Sequence, residues 1–116
     1  MKRTLAALLI IWCGNTYGGY LSFSEFRGDL REYEKASKRD RTANLLRSGR
    51  MLGYVAAIAD TLHNGKDACL PEDLDLQKAV ALVKEKTALL PEDIFGKVPA
   101  AVVIEKALKD AFPCKK

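Results

Sequence analysis

Asp60, His63 and Cys69 place a carboxylate, an imidazole and a thiol within ten positions of one another. A cysteine hydrolase needs these three groups: a thiolate to attack, a base to generate it and an acid to orient the base. Each also has a plainer use. Cys69 has a structural partner in Cys114, and a disulfide sulfur is not a nucleophile. Asp60 and His63 are three apart, the spacing of a surface pair on one helix face. No catalytic residue is therefore assigned, and the chain is read as a non-enzyme. One His with scattered acids has no recognised ligand spacing, so no metal and no cofactor is expected. Asp73-Leu74-Asp75 opens like a calcium loop, but Lys78 stands where the loop needs glycine, and the segment starts a helix.

Six basic residues lie between Lys35 and Arg50. No aromatic side chains interleave them as stacking platforms for bases, so nucleic acid is not expected as a partner. They read as a solvated face or as a surface for an acidic partner.

Part of the chain's basic character belongs to its beginning. Lys2 and Arg3 precede eight apolar residues, 5–12, and a polar stretch with small residues follows to Gly18. That is the layout of a secretory signal peptide. As a helix, the apolar run rises only ~12 Å, well short of a ~30 Å hydrocarbon core, so no membrane anchor is expected. Cleavage near Gly18 makes residues 1–18 the signal and 19–116 the mature domain. The formal charge falls from +4 to about +2 as two cations leave. The expected location is the periplasm or outside the cell.

Cys13 leaves with the signal, and Cys69 and Cys114 remain. In an oxidising compartment such a pair forms a disulfide.

Periodicity is helical almost throughout. Phe23, Phe26, Leu30 and Tyr33 place a helix over residues 24–36, weakened by Gly28 by ~1 kcal/mol relative to Ala. A basic turn precedes a second helix over 42–62, with Leu45, Leu52, Val55, Ile58, Ala59 and Leu62 as its buried stripe and Asn64-Gly65 as its stop. The third starts after the N-cap Asp75, buries Leu76, Val80 and Val83, and stops before Pro91. The fourth carries Pro99 in its first turn, buries Val102, Val103, Ala107, Leu108 and Phe112, and ends at Pro113. The fold class is all-α: one small bundle of about four helices stapled by one disulfide. If the last two helices are antiparallel, the start of one lies beside the end of the other, and the two cysteines meet.

Gly53 and Ala57 are four apart on the second helix. They read as ordinary core packing against the third or fourth helix, with a homodimer seam as the alternative. Asp60, near a helix C-terminus, opposes the helix dipole and is expected to accept a hydrogen bond from a neighbouring loop. Residues 91–98 lie between two prolines, with Glu92, Asp93 and Lys97 around Ile94 and Phe95. Either Phe95 is an aromatic anchor with a charged rim, or Phe95 and Ile94 both fold back to cap the hairpin. His63, Asn64, Lys66 and Asp67 form the competing contact loop.

A resemblance adds to this reading. Gly53-Tyr54-Val55-Ala56-Ala57-Ile58-Ala59-Asp60, then Cys69-Leu70-Pro71, a helix opening Asp75-Leu76-Gln77, and a final Ala107-Leu108-Lys109-Asp110-Ala111-Phe112-Pro113-Cys114 occur in that order. This series resembles a family of periplasmic, resistance-associated immunity proteins against peptidoglycan amidases delivered by type VI secretion systems. Met51 stands where many relatives have a Cys, and Ala57 replaces a commoner Gly, so a second family disulfide is missing here. The resemblance implies that the partner is a cognate cell-wall amidase effector whose cleft is occluded, and that the protein can act as a homodimer. A periplasmic acid-stress chaperone is the alternative function, since 15 acids and one His would leave the chain strongly positive at low pH.

Overall fold

The hydroxyl of Ser22 accepts a hydrogen bond from the Glu25 amide at 3.1 Å and opens α1 (Phe23–Ser37). Leu21 before the cap and Phe26 in the next turn are both buried, as in a hydrophobic staple. A computed structural model describes residues 20–114; the expected signal segment 1–18, with Cys13, lies outside the described residues. Four further helices follow: α2 (Leu45–Asn64), α3 (Leu76–Thr87), α4 (Glu92–Phe95) and α5 (Ala100–Ala111). Among the described residues no strand forms beyond one isolated bridge between Ser22 and Pro99. The all-α expectation holds, with the one-turn α4 added.

The boundaries follow local chemistry. α1 ends in a Schellman pattern: the Asp40 amide donates to Lys35 O and the Arg39 amide to Ala36 O, with Arg39 left-handed at φ 61°. The Asp40 carboxylate then takes both the Thr42 amide and hydroxyl, at 2.8 and 2.7 Å. That local turn competes with helix, so α2 starts at Leu45, with Asn44 capping the Arg47 amide, rather than at Thr42. At its other end Gly65 stays right-handed at φ −81° and Lys66 takes the left-handed position at φ 59°. Lys66 and Asp67 donate to His63 O and Leu62 O, so the stop lies one residue later than Asn64-Gly65 suggests. Asp75 caps α3 through the Lys78 amide at 2.8 Å, as expected. Pro99 is the N-cap of α5 rather than part of its first turn.

The core takes Phe23, Phe26 and Leu30 from α1, Met51, Val55 and Leu62 from α2, Val80 and Val83 from α3, and Val103, Ile104, Ala107 and Leu108 from α5. α1 packs on α2, and α5 touches α1, α2 and α3. Three residues expected in the core are outside it. Leu45 is 71% exposed because the buried face of α2 begins one turn further in, at Ser48. Val102 is 55% exposed because it lies ~100° around the helix from buried Val103. Leu76, in the first turn of α3, is also exposed.

Asp29 is fully buried between α1 and α2 and receives three charged hydrogen bonds. Arg47 Nε and Arg50 Nη2 donate to Oδ1, each at 2.8 Å, and Arg50 Nε donates to Oδ2 at 2.7 Å. Two of the six basic residues read as a solvated face are thus turned inward onto a carboxylate. A third, Lys35, pairs with Glu32 at 3.2 Å.

The same arrangement changes the meaning of Gly28. A Cβ there would collide with the Arg47 guanidinium, which is held in place through its Nε by Asp29. Gly28→Ala is therefore expected to forfeit the ~1 kcal/mol of helix propensity that alanine ordinarily gains. Urea unfolding checks this: a variant more stable by that full amount would mean that Arg47 shifts at no cost.

Candidate partner-binding site

Cys69 and Cys114 are joined, with Cα atoms 4.9 Å apart. The Cys69 amide also donates to Phe112 O at 2.9 Å, so the approach to α3 lies against the end of α5. The expected staple is present, and it takes the thiol out of the Asp60–His63–Cys69 constellation. Among the described residues, no group of three His, Cys, Asp or Glu is placed to hold a metal, and no helix is long and apolar enough to cross a membrane.

At the far end of the α3–α5 pair, α1 holds residues 91–98 and the chain that enters them. α1 has free N–H groups in its first turn, as every helix does. Phe23 N donates to Val98 O at 2.9 Å and Ser24 N to Gly96 O at 3.0 Å. Arg27, whose guanidinium lies 4.4 Å over the Phe23 ring, donates through Nη2 to Thr87 O and Leu90 O at 2.7 and 2.6 Å. These bonds satisfy carbonyls at the end of α3 and fix the chain entering the loop. The short α4 within it carries Glu92 and Asp93 in its first turn, where acids oppose the positive end of the peptide dipoles.

The adjacent Ile94 and Phe95 of this loop part company. Phe95 folds back against the core and walls an apolar groove of about 220 Å³ with Leu90, Val98 and Val103. Ile94 points outward and is 67% exposed. Phe95 is therefore corrected as the exposed aromatic anchor, since it packs on the hairpin; Ile94 does not fold back with it and stays in solvent, with exposed Glu92, Asp93 and Lys97 nearby.

The competing loop is at the other end. His63, Asn64, Lys66 and Asp67 are exposed beside the disulfide, and Cys114 Sγ is 3.6 Å from Lys66 O. The fold does not bring the two candidate surfaces together. Asp60 and His63 share a second groove of about 270 Å³ between α2 and the start of α3, with Ala56, Leu70, Leu74 and Glu72 among its walls. Among the described residues no hydrogen bond reaches the Asp60 carboxylate, contrary to the expectation of a loop donor: the residue is exposed.

Of the signature residues, Tyr54 packs against the core, whereas Gly53 and Ala57 face solvent. Nothing lies within 4 Å of a Cβ built on Gly53, so the reading of this pair as packing against α3 or α5 is corrected. α3 and α5 cover the Val55–Leu62 side of α2, and Gly53 and Ala57 lie on its other side. Asp29 and Arg27 were not singled out from sequence. The only signal for either was an acid or a base placed among the apolar positions of α1.

The described residues form a helical module stapled by one disulfide, with α1 bracing one of its two candidate loops and the disulfide beside the other. Residues 9–114 match the model of the Rap1a immunity proteins. The chain belongs to that family, so its partner is a cognate secreted toxin. No characterised relative and no solved structure matches it.

Proposed function

We propose that the protein is exported to the periplasm, loses residues 1–18 there, and neutralises a peptidoglycan amidase delivered by type VI secretion by blocking its catalytic cleft. The observation that carries this reading is the match of residues 9–114 to the Rap1a immunity proteins; the braced loop 91–98, with Ile94 67% exposed and acidic residues on the same short helix, supports it as the contact. An inhibitor of a cysteine amidase needs an apolar anchor that excludes substrate and water from the thiolate, and no reactive group of its own. Bracing by α1 and Arg27 lowers the ordering cost of binding. The exposed α2 face with Gly53 and Ala57 supports self-association, so the inhibitor can present two protrusions as a homodimer.

Ile94→Asp is expected to weaken binding of the cognate amidase at least ~30-fold, the scale of a ≥2 kcal/mol hot spot, while leaving the melting temperature nearly unchanged. Calorimetry gives the affinity, and light scattering on the same complex counts the copies. Unchanged affinity would move the contact to residues 63–67. The chaperone alternative is separated by an aggregation assay at pH 2: protection of many unrelated clients without a tight amidase complex would replace the immunity reading with that one.

A further inference from the structure

Two stretches singled out in the sequence, 53–60 and 69–71, are walls of a single groove at the disulfide end of the molecule. Its floor is apolar, made by Ala56, Ala59, Leu70 and Leu74, and its rim carries the exposed carboxylates of Asp60 and Glu72. Asp75 adds a third, already engaged with the Lys78 amide. No lysine or arginine lines the groove, and His63 is the one basic side chain among its walls. Among the described residues, neither Asp60 nor Glu72 takes part in an ion pair. The chain as a whole has 19 cations against 15 acids, so the groove is a local reversal of its charge.

We infer that this groove docks a segment of a partner protein led by a lysine or arginine side chain. Such a side chain has an apolar stem and a charged head; the stem lies on the alanine and leucine floor, and the head reaches Asp60 and Glu72. A guanidinium can engage a carboxylate through two parallel hydrogen bonds. A neutral apolar occupant would desolvate the two carboxylates without compensation, and an anionic one would meet like charge. The volume, about 270 Å³, falls below that of pockets that enclose a whole small-molecule ligand and suits one long side chain with its flanking residues. The groove lies at the opposite end of α3 from the 91–98 protrusion, so the inference stands independently of the amidase reading.

The test uses three blocked tripeptides, Leu-Arg-Leu, Leu-Gln-Leu and Leu-Glu-Leu, titrated into the disulfide-bonded protein while amide NMR shifts are followed. Leu-Arg-Leu should bind with millimolar affinity and shift Ala59, Asp60 and Leu70, whereas Leu-Glu-Leu should not. The double variant Asp60→Asn, Glu72→Gln should lose about tenfold in affinity. Its melting temperature should be unchanged, because both side chains are exposed. Raising salt from about 20 to about 500 mM should weaken the wild-type complex severalfold. Absence of Leu-Arg-Leu binding, equal binding of all three peptides, shifts centred on Glu92 and Asp93, or an unaltered affinity in the double variant would each overturn the inference.

Discussion

Replacing Cys69 and Cys114 together by serine is expected to cost about 4 kcal/mol of stability. The bond closes a loop spanning 45 residues, and the chain-entropy treatment puts that value on restraining such a loop in the unfolded state. For a domain of this size the melting temperature should drop roughly 15–30 °C. The loss should also be local in its consequences. One backbone hydrogen bond, Cys69 N to Phe112 O, would be left tying the segment before α3 to the end of α5. Hydrogen exchange in the double variant should therefore rise first around residues 66–70 and 108–114. In the oxidised wild type, thiol labelling under denaturing, non-reducing conditions should find neither Cys69 nor Cys114 free. A double variant that melts within a few degrees of wild type would show that α3 and α5 are held together by their apolar contacts alone.

Asp29→Ala is expected to cost about 2–3 kcal/mol. The fully buried carboxylate holds two guanidinium groups through three hydrogen bonds. Removing it leaves two like charges side by side at the α1–α2 interface. The full 3–5 kcal/mol of a broken buried pair is discounted because Arg47 and Arg50 are themselves half in water and can reach solvent. Burial by itself pushes the Asp29 pKa up. The hydrogen bonds from Arg50 and Arg47, with their charges, outweigh it and hold the carboxyl below the ordinary aspartate range. A carboxyl held down in the folded state binds fewer protons there than in the unfolded chain. Its contribution is therefore complete above about pH 4 and is lost progressively as the pH falls toward the lower folded value. Glu32, held down chiefly by the Asn44 amide and then by Lys35, and Asp40, held by Thr42, act in the same direction. Unfolding midpoints measured from pH 7 to pH 2 should fall steeply only below pH 4 in the wild type and less steeply in Asp29→Asn. Parallel profiles for the two would remove Asp29 from the acid response.

Much of this architecture is written in short-range patterns. Ser22, Asn44 and Asp75 each sit three residues before the amide they cap, and capping needs nothing outside that turn. Apolar spacing of three and four marks a face wherever it occurs, which is why helices are legible around Phe26, Val55, Val83 and Ala107. Reading residues 1–18 as a signal leaves an even pair of cysteines, and their places before one helix and after another were enough to pair Cys69 with Cys114.

What the chain order could not reveal is which neighbour each face would meet. Arg47 and Arg50 lie 18 and 21 residues from Asp29, and read locally they are surface cations. Only the packing of α1 on α2 makes them partners of a buried carboxylate and turns Gly28 from a weak point into the space Arg47 occupies. Adjacent Ile94 and Phe95 are both apolar, and which of them faces water was decided by bonds from Phe23, Ser24 and Arg27, about 70 residues earlier in the chain. Gly53 and Ala57 are small enough for either a core or a seam, and the placement of α3 and α5 on the other side of α2 left them in solvent. Capping and periodicity act within a few residues and survive in the one-dimensional string. Burial, charge pairing and the choice of exposed face depend on distances set by chain closure, and those exist only once the helices have packed.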